Sequence, residues 1–104
     1  MQHLDEQVNK IINKIVEAVA PDQVILFGSR AFPSAPKESD VDLLLIYSGP
    51  QSKRDIKLQV YNLFPHPDFS MDLFVLSPEE LNQQKRIANT LAREALDKGI
   101  ICYG

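Results

Sequence analysis

The order of apolar and polar residues along the chain predicts alternating helices and strands. Val8, Ile11, Ile12, Ile15, Val16 and Val19 recur at intervals that gather side chains on one stripe of a helix, and they predict an amphipathic helix over 5–20 that Pro21 closes. That stripe should cover a sheet. The run 23–27, QVILF, is rich in β-branched and large apolar residues and reads as a strand ended by Gly28. Gly28-Ser29 permits a sharp turn, and a single helical turn is expected after it before Pro33 and Pro36 interrupt the chain. A second strand over 41–47 is continuously apolar past its acids, the pattern of a strand covered on both faces, so a central position is expected.

Ser48-Gly49-Pro50 is a turn signal, and Ser52 is placed to cap a helix reaching about residue 64, with Ile56, Val60, Leu63 and Phe64 on one face. The loop Pro65-His66-Pro67-Asp68 ends it. In a third strand over 69–76, Ser70, Asp72, Phe74 and Leu76 share one face and Phe69, Met71, Leu73 and Val75 the other. Ser77-Pro78-Glu79-Glu80 has the form of a capping box with proline at the first helical position. The helical region that follows should run toward residue 98, with Leu81, Ala88, Leu91, Ala95 and Leu96 supplying apolar contacts. Gly99 is the expected cap, and 100–103 either adds an edge strand or docks on the core. The whole is an α/β (α+β) fold in a single domain, 1–104.

Two acids break the apolar pattern where it should be strongest. Asp40 and Asp42 flank Val41 and so share one face of the second strand. At about 6 Å and an effective dielectric near 20, two carboxylates repel by about 3 kcal/mol, with no structural benefit unless a cation lies between them. Asp72 is a third acid in apolar company. Each has a plainer reading, a turn residue for Asp40 and a salt bridge for Asp42 and Asp72.

Composition narrows the function. Fourteen acids against eleven Lys and Arg give a net charge of −3, which argues against general nucleic-acid binding. No apolar run reaches the length of a membrane span, and MQHLDEQVNK has acids and no apolar signal region, so a cytoplasmic location is expected. The single cysteine, Cys102, leaves no partner for an intrachain disulfide and reads as a small apolar residue. His3 and His66 read as solvated side chains, and Tyr47, Tyr61 and Tyr103 as packed rings with their hydroxyls at the surface.

Gly28-Ser29, ten residues, Asp40-Val41-Asp42, and a strand acid at Asp72 together resemble the nucleotidyltransferase superfamily of DNA polymerase beta, and most closely its small stand-alone members, the minimal nucleotidyltransferases. The likeness runs over nearly the whole chain. It departs at Arg30-Ala31-Phe32-Pro33, where many members carry a glycine. The resemblance implies a central mixed β-sheet flanked by helices, with Asp40, Asp42 and Asp72 as catalytic residues and ligands of one or two Mg²⁺ ions. It implies that Gly28 and Ser29 meet the triphosphate of ATP. Arg30 stands as either a phosphate-pairing residue or an exposed, solvated one, and Lys37, Lys53 and Arg54 rank below it.

A further implication concerns the acceptor. Minimal nucleotidyltransferases pair with a HEPN-domain ribonuclease toxin and neutralise it by transferring AMP to a tyrosine, which makes an antitoxin the expected role. A chain of 104 residues has little room for a second substrate domain, so a protein partner completing the cleft agrees with its length. Two alternatives are a binding module that blocks the toxin without turnover, and a transferase for a small molecule, in which a dimer or a hetero-oligomer supplies the missing wall.

Overall fold

Asp5 opens the first helix by accepting a hydrogen bond from the Val8 N–H at 2.8 Å. Helix α1 (Glu6–Val19) ends at Ala20, whose φ of 48° is left-handed, just before Pro21. The computed structural model describes residues 5–32 and 39–104, so His3, Pro33, Pro36 and Lys37 lie outside the described residues.

Strands β1 (Gln23–Phe27), β2 (Val41–Ile46), β3 (Met71–Leu76) and β4 (Ile100–Tyr103) form a mixed sheet in the order β3-β2-β1-β4. β2 lies parallel to β3 because helix α2 (Lys53–Asn62), capped by Ser52, carries the chain back across the sheet between them. β1 runs antiparallel to both β2 and β4. The interior place of β2 is the one its apolar run predicts. Val41, Leu43 and Leu45 point to the face that α1 and α2 cover with Ile11, Ile15, Ile56 and Val60. Leu44 and Ile46 point to the other, where Ala92 and Ala95 close the core.

The region after Ser77 differs from the single helix expected. It divides into α3 (Pro78–Gln84) and α4 (Leu91–Lys98). Asn89 takes a left-handed φ of 67°, and Thr90 recaps the chain by accepting from the Arg93 N–H at 3.2 Å. The break leaves Ala88 and Leu96 exposed, and Ala92 occupies the core instead. The capping box at Ser77 and Glu80 forms as its sequence predicts. Gly99 caps α4, and a Cβ there would lie 2.8 Å from the Leu26 carbonyl oxygen, so its absence lets β4 close against β1. No helix among the described residues is long and apolar enough to cross a membrane.

Candidate active site

Parallel pairing sets Asp42 directly opposite Asp72, and antiparallel pairing sets Asp42 opposite Phe27, the residue before Gly28. Three segments distant in sequence thus meet at one end of the sheet. Asp42 is half-buried, while Asp72 and Asp40 are exposed, the latter just before β2 begins. The Asp42 carboxyl is pushed up to about 6, chiefly by burial, then by the charge of Asp72 and a hydrogen bond with it, with Asp40 and Glu94 adding to the field. Such a bond between carboxyls requires that one hold a proton, which is how the protein alone relieves their repulsion.

A cation is the other way. Among the described residues no three potential ligands stand close enough to form a ready-made cage, so the close pair is Asp42 and Asp72, with Asp40 alongside. Their oxygen-only chemistry fits Mg²⁺, which takes few protein carboxylates and fills its remaining positions with water and phosphate oxygens. Glu94, on the first turn of α4, was not singled out from the sequence; only the packing of α4 over the sheet brings its charge near Asp42.

Gly28 is required here for two reasons. Its backbone, at φ 74° and ψ −159°, occupies a region that residues with a Cβ avoid. A Cβ would also overlap the Asp42 carboxylate, lying 3.1 Å from its Cγ. The glycine and the strand acid, separated in sequence, are therefore one packed unit. Ser29 is exposed and opens a 3-10 turn (Ser29–Ala31), held by the Ala31 N–H on the Gly28 carbonyl at 3.2 Å.

Arg30 is not the exposed side chain that one reading of the sequence offered: it is 8% accessible. Its Nη2 donates to Asp5 Oδ2 at 2.6 Å and to Gln7 Oε1 at 3.3 Å, and its Nη1 donates to the Ser39 carbonyl at 3.1 Å. The guanidinium therefore ties the turn after β1 both to the start of α1 and to the residue preceding Asp40.

Residues 9–103 match the family model described as Polymerase beta, Nucleotidyltransferase. The chain belongs to the polymerase beta nucleotidyltransferase family. A solved structure described as a toxin-antitoxin with AMP-PNP is similar over 91% of this chain and 72% of its own, with a TM-score of 0.59 and 20% identity, a likeness that shows the fold. None of the curated proteins matches the chain.

The nucleotidyltransferase sheet has a further support that the sequence did not disclose. The Tyr61 hydroxyl, expected at the surface, accepts from the Leu73 N–H at 3.2 Å and donates to the Met71 carbonyl at 3.4 Å. These groups flank Asp72 on the strand edge. Lys53 instead pairs with Glu80 at 2.7 Å, and His66 is exposed as its loop implies. Cys102 is half-buried, and burial raises its thiol pKa, which suits a packing residue rather than a nucleophile.

Proposed function

We propose that this nucleotidyltransferase transfers AMP from ATP, with Mg²⁺, to a hydroxyl of a HEPN ribonuclease toxin, a tyrosine hydroxyl, and so acts as its antitoxin. The observation that carries the catalytic part is the carboxyl pair Asp42 and Asp72, set in register and backed by the Gly28 turn. Family membership and the nucleotide in the toxin-antitoxin structure of similar fold support the donor and the class of partner.

Asp40, Asp42 and Asp72 would hold Mg²⁺ through hard carboxylate oxygens, and Gly28 would let the backbone N–H groups approach the triphosphate that Ser29 Oγ would also meet. When bound, the ion neutralises charge on the phosphates and lowers the pKa of the attacking hydroxyl. The acceptor oxygen forms a bond to the α-phosphorus as the bond from that phosphorus to the bridging oxygen breaks, and pyrophosphate leaves. The hydroxyl proton passes to the Asp72 carboxylate, exposed and facing solvent, and from there to water.

Incubation with α-labelled ATP, Mg²⁺ and the toxin tests this. Label should appear on the toxin's tyrosine, and Asp42→Asn should reduce transfer at least about 100-fold, beyond the usual effect of disturbing a residue around a metal site. Absence of transfer, or transfer indifferent to Asp42→Asn, overturns the catalytic reading. Neutralisation at equimolar Asp42→Asn protein identifies a binding module instead.

A further inference from the structure

Arg30 and Asp5 are joined where neither needs the other for local structure. Asp5 already caps α1 through one oxygen, Oδ1, and turns the other, Oδ2, to Arg30. Arg30 is buried, so its planar donors must be matched in direction as well as number, and they point to two places at once. One is the first turn of α1, at Asp5 and Gln7; the other is the Ser39 carbonyl. That carbonyl belongs to the peptide unit leading into Asp40, while Arg30 itself stands next to Ser29 in the turn that Gly28 begins.

From this we infer that Asp5 and Arg30 are positioning residues: the pair fixes the Gly28-Ser29 turn and the approach to Asp40 against α1, so that the phosphate-facing and metal-facing parts of the site keep one spacing. The inference rests on the nucleotidyltransferase reading of that site and assigns Arg30 no contact with phosphate. A lysine cannot replace the arginine, because one ammonium lacks the fork that reaches both acceptor groups. Asp5 is thereby placed in the service of a site on the far side of a strand, a role its capping position gives no hint of.

The test separates positioning from stability and from direct phosphate contact. Mg²⁺ and AMP-PNP are titrated calorimetrically into the wild type, Asp5→Ser, Arg30→Lys and Asp42→Asn proteins, each well below its unfolding temperature, reading affinity and stoichiometry separately. Asp5→Ser keeps an N-cap, since serine caps as well as aspartate, but removes the carboxylate from Arg30. It should weaken binding about 10-fold at unchanged stoichiometry, in line with the sensitivity of such sites to small displacements, and Arg30→Lys should do the same. Reduced stoichiometry at unchanged affinity means a folding role alone and overturns the inference. Unchanged binding by Asp5→Ser overturns it too, since the pair then sets nothing at the site, and so does tighter binding, which means that the released Arg30 serves phosphate directly. Wild-type binding that Asp42→Asn abolishes upholds the site itself, so either result then sinks only the positioning role. No wild-type binding sinks both. Should Asp5→Ser fail to fold, Asp5→Asn, which keeps shape and cap, is read in the same way.

Discussion

At the scale of single residues, the glycine before Ser29 and the acid in β2 depend on each other. Gly28 combines a glycine-only backbone conformation with a position against the Asp42 carboxylate. Gly28→Ala should therefore destabilise the protein by about 3 kcal/mol in denaturant unfolding, summing backbone strain of about 1–2 kcal/mol with the cost of the displaced carboxylate. In an Asp42→Ala background only the backbone share should remain, about 1–2 kcal/mol, because the atoms in closest conflict are gone. Equal losses in both backgrounds would mean that the close approach contributes nothing. The individual acids were legible, since strand alternation and the expense of a buried carboxylate need only local sequence. Their partner relations were not: Asp42 meets Asp72 through inter-strand register, and Arg30 finds Asp5 through the packing of α1, neither of which any local spacing records.

At the scale of elements, the local signals held where a cap or a breaker decides the outcome. Asp5, Ser52 and Ser77 each begin the helix that follows them, because each satisfies a backbone N–H within three residues of itself. The continuous helix expected over 78–98 fails for a reason of the same kind: Thr90 recaps the chain after the left-handed Asn89, a break that the apolar spacing on either side does not mark. Tyr61 required tertiary structure. β3 is an edge strand, and the tyrosine hydroxyl stands where a neighbouring strand's peptide would otherwise pair with Met71 and Leu73. Tyr61→Phe leaves the ring and removes both bonds, so a loss of about 1 kcal/mol is expected, with faster amide hydrogen exchange at Leu73 than at its neighbours in β2. Unaltered exchange at Leu73 would show that the hydroxyl does not guard this edge.

At the scale of the whole molecule, the carboxyl pair links stability to pH and, in the function proposed, to Mg²⁺ with the opposite sign. Asp42 titrates near 6 in the folded protein against 3.8 for the unperturbed group. Between these values the folded state holds more protons than the unfolded one, so the Asp42 contribution to stability falls as pH rises through that window and is lost above about 6. A group this accessible to water is screened, so the loss is about 1 kcal/mol, or about 5 °C in unfolding temperature. Glu80 has the reverse sign: the hydrogen bond from Lys53, with the capping bond at Ser77, lowers its pKa, and its contribution is lost only as pH falls below the ordinary glutamate range. Comparing wild type with Asp42→Asn cancels that background. Without metal, the variant should match the wild type at about pH 3.5, below both values, and melt several degrees higher near pH 7.5. The Mg²⁺ site proposed above needs the ionised pair, so the ion should raise the wild-type unfolding temperature near pH 7.5, do little near pH 5, and leave Asp42→Asn unmoved at both. Chelation by EDTA should reverse the gain. Stabilisation by Mg²⁺ that survives Asp42→Asn would place the ion elsewhere. A variant no more stable than wild type near pH 7.5 would mean that the paired carboxyls carry no strain for a cation to relieve.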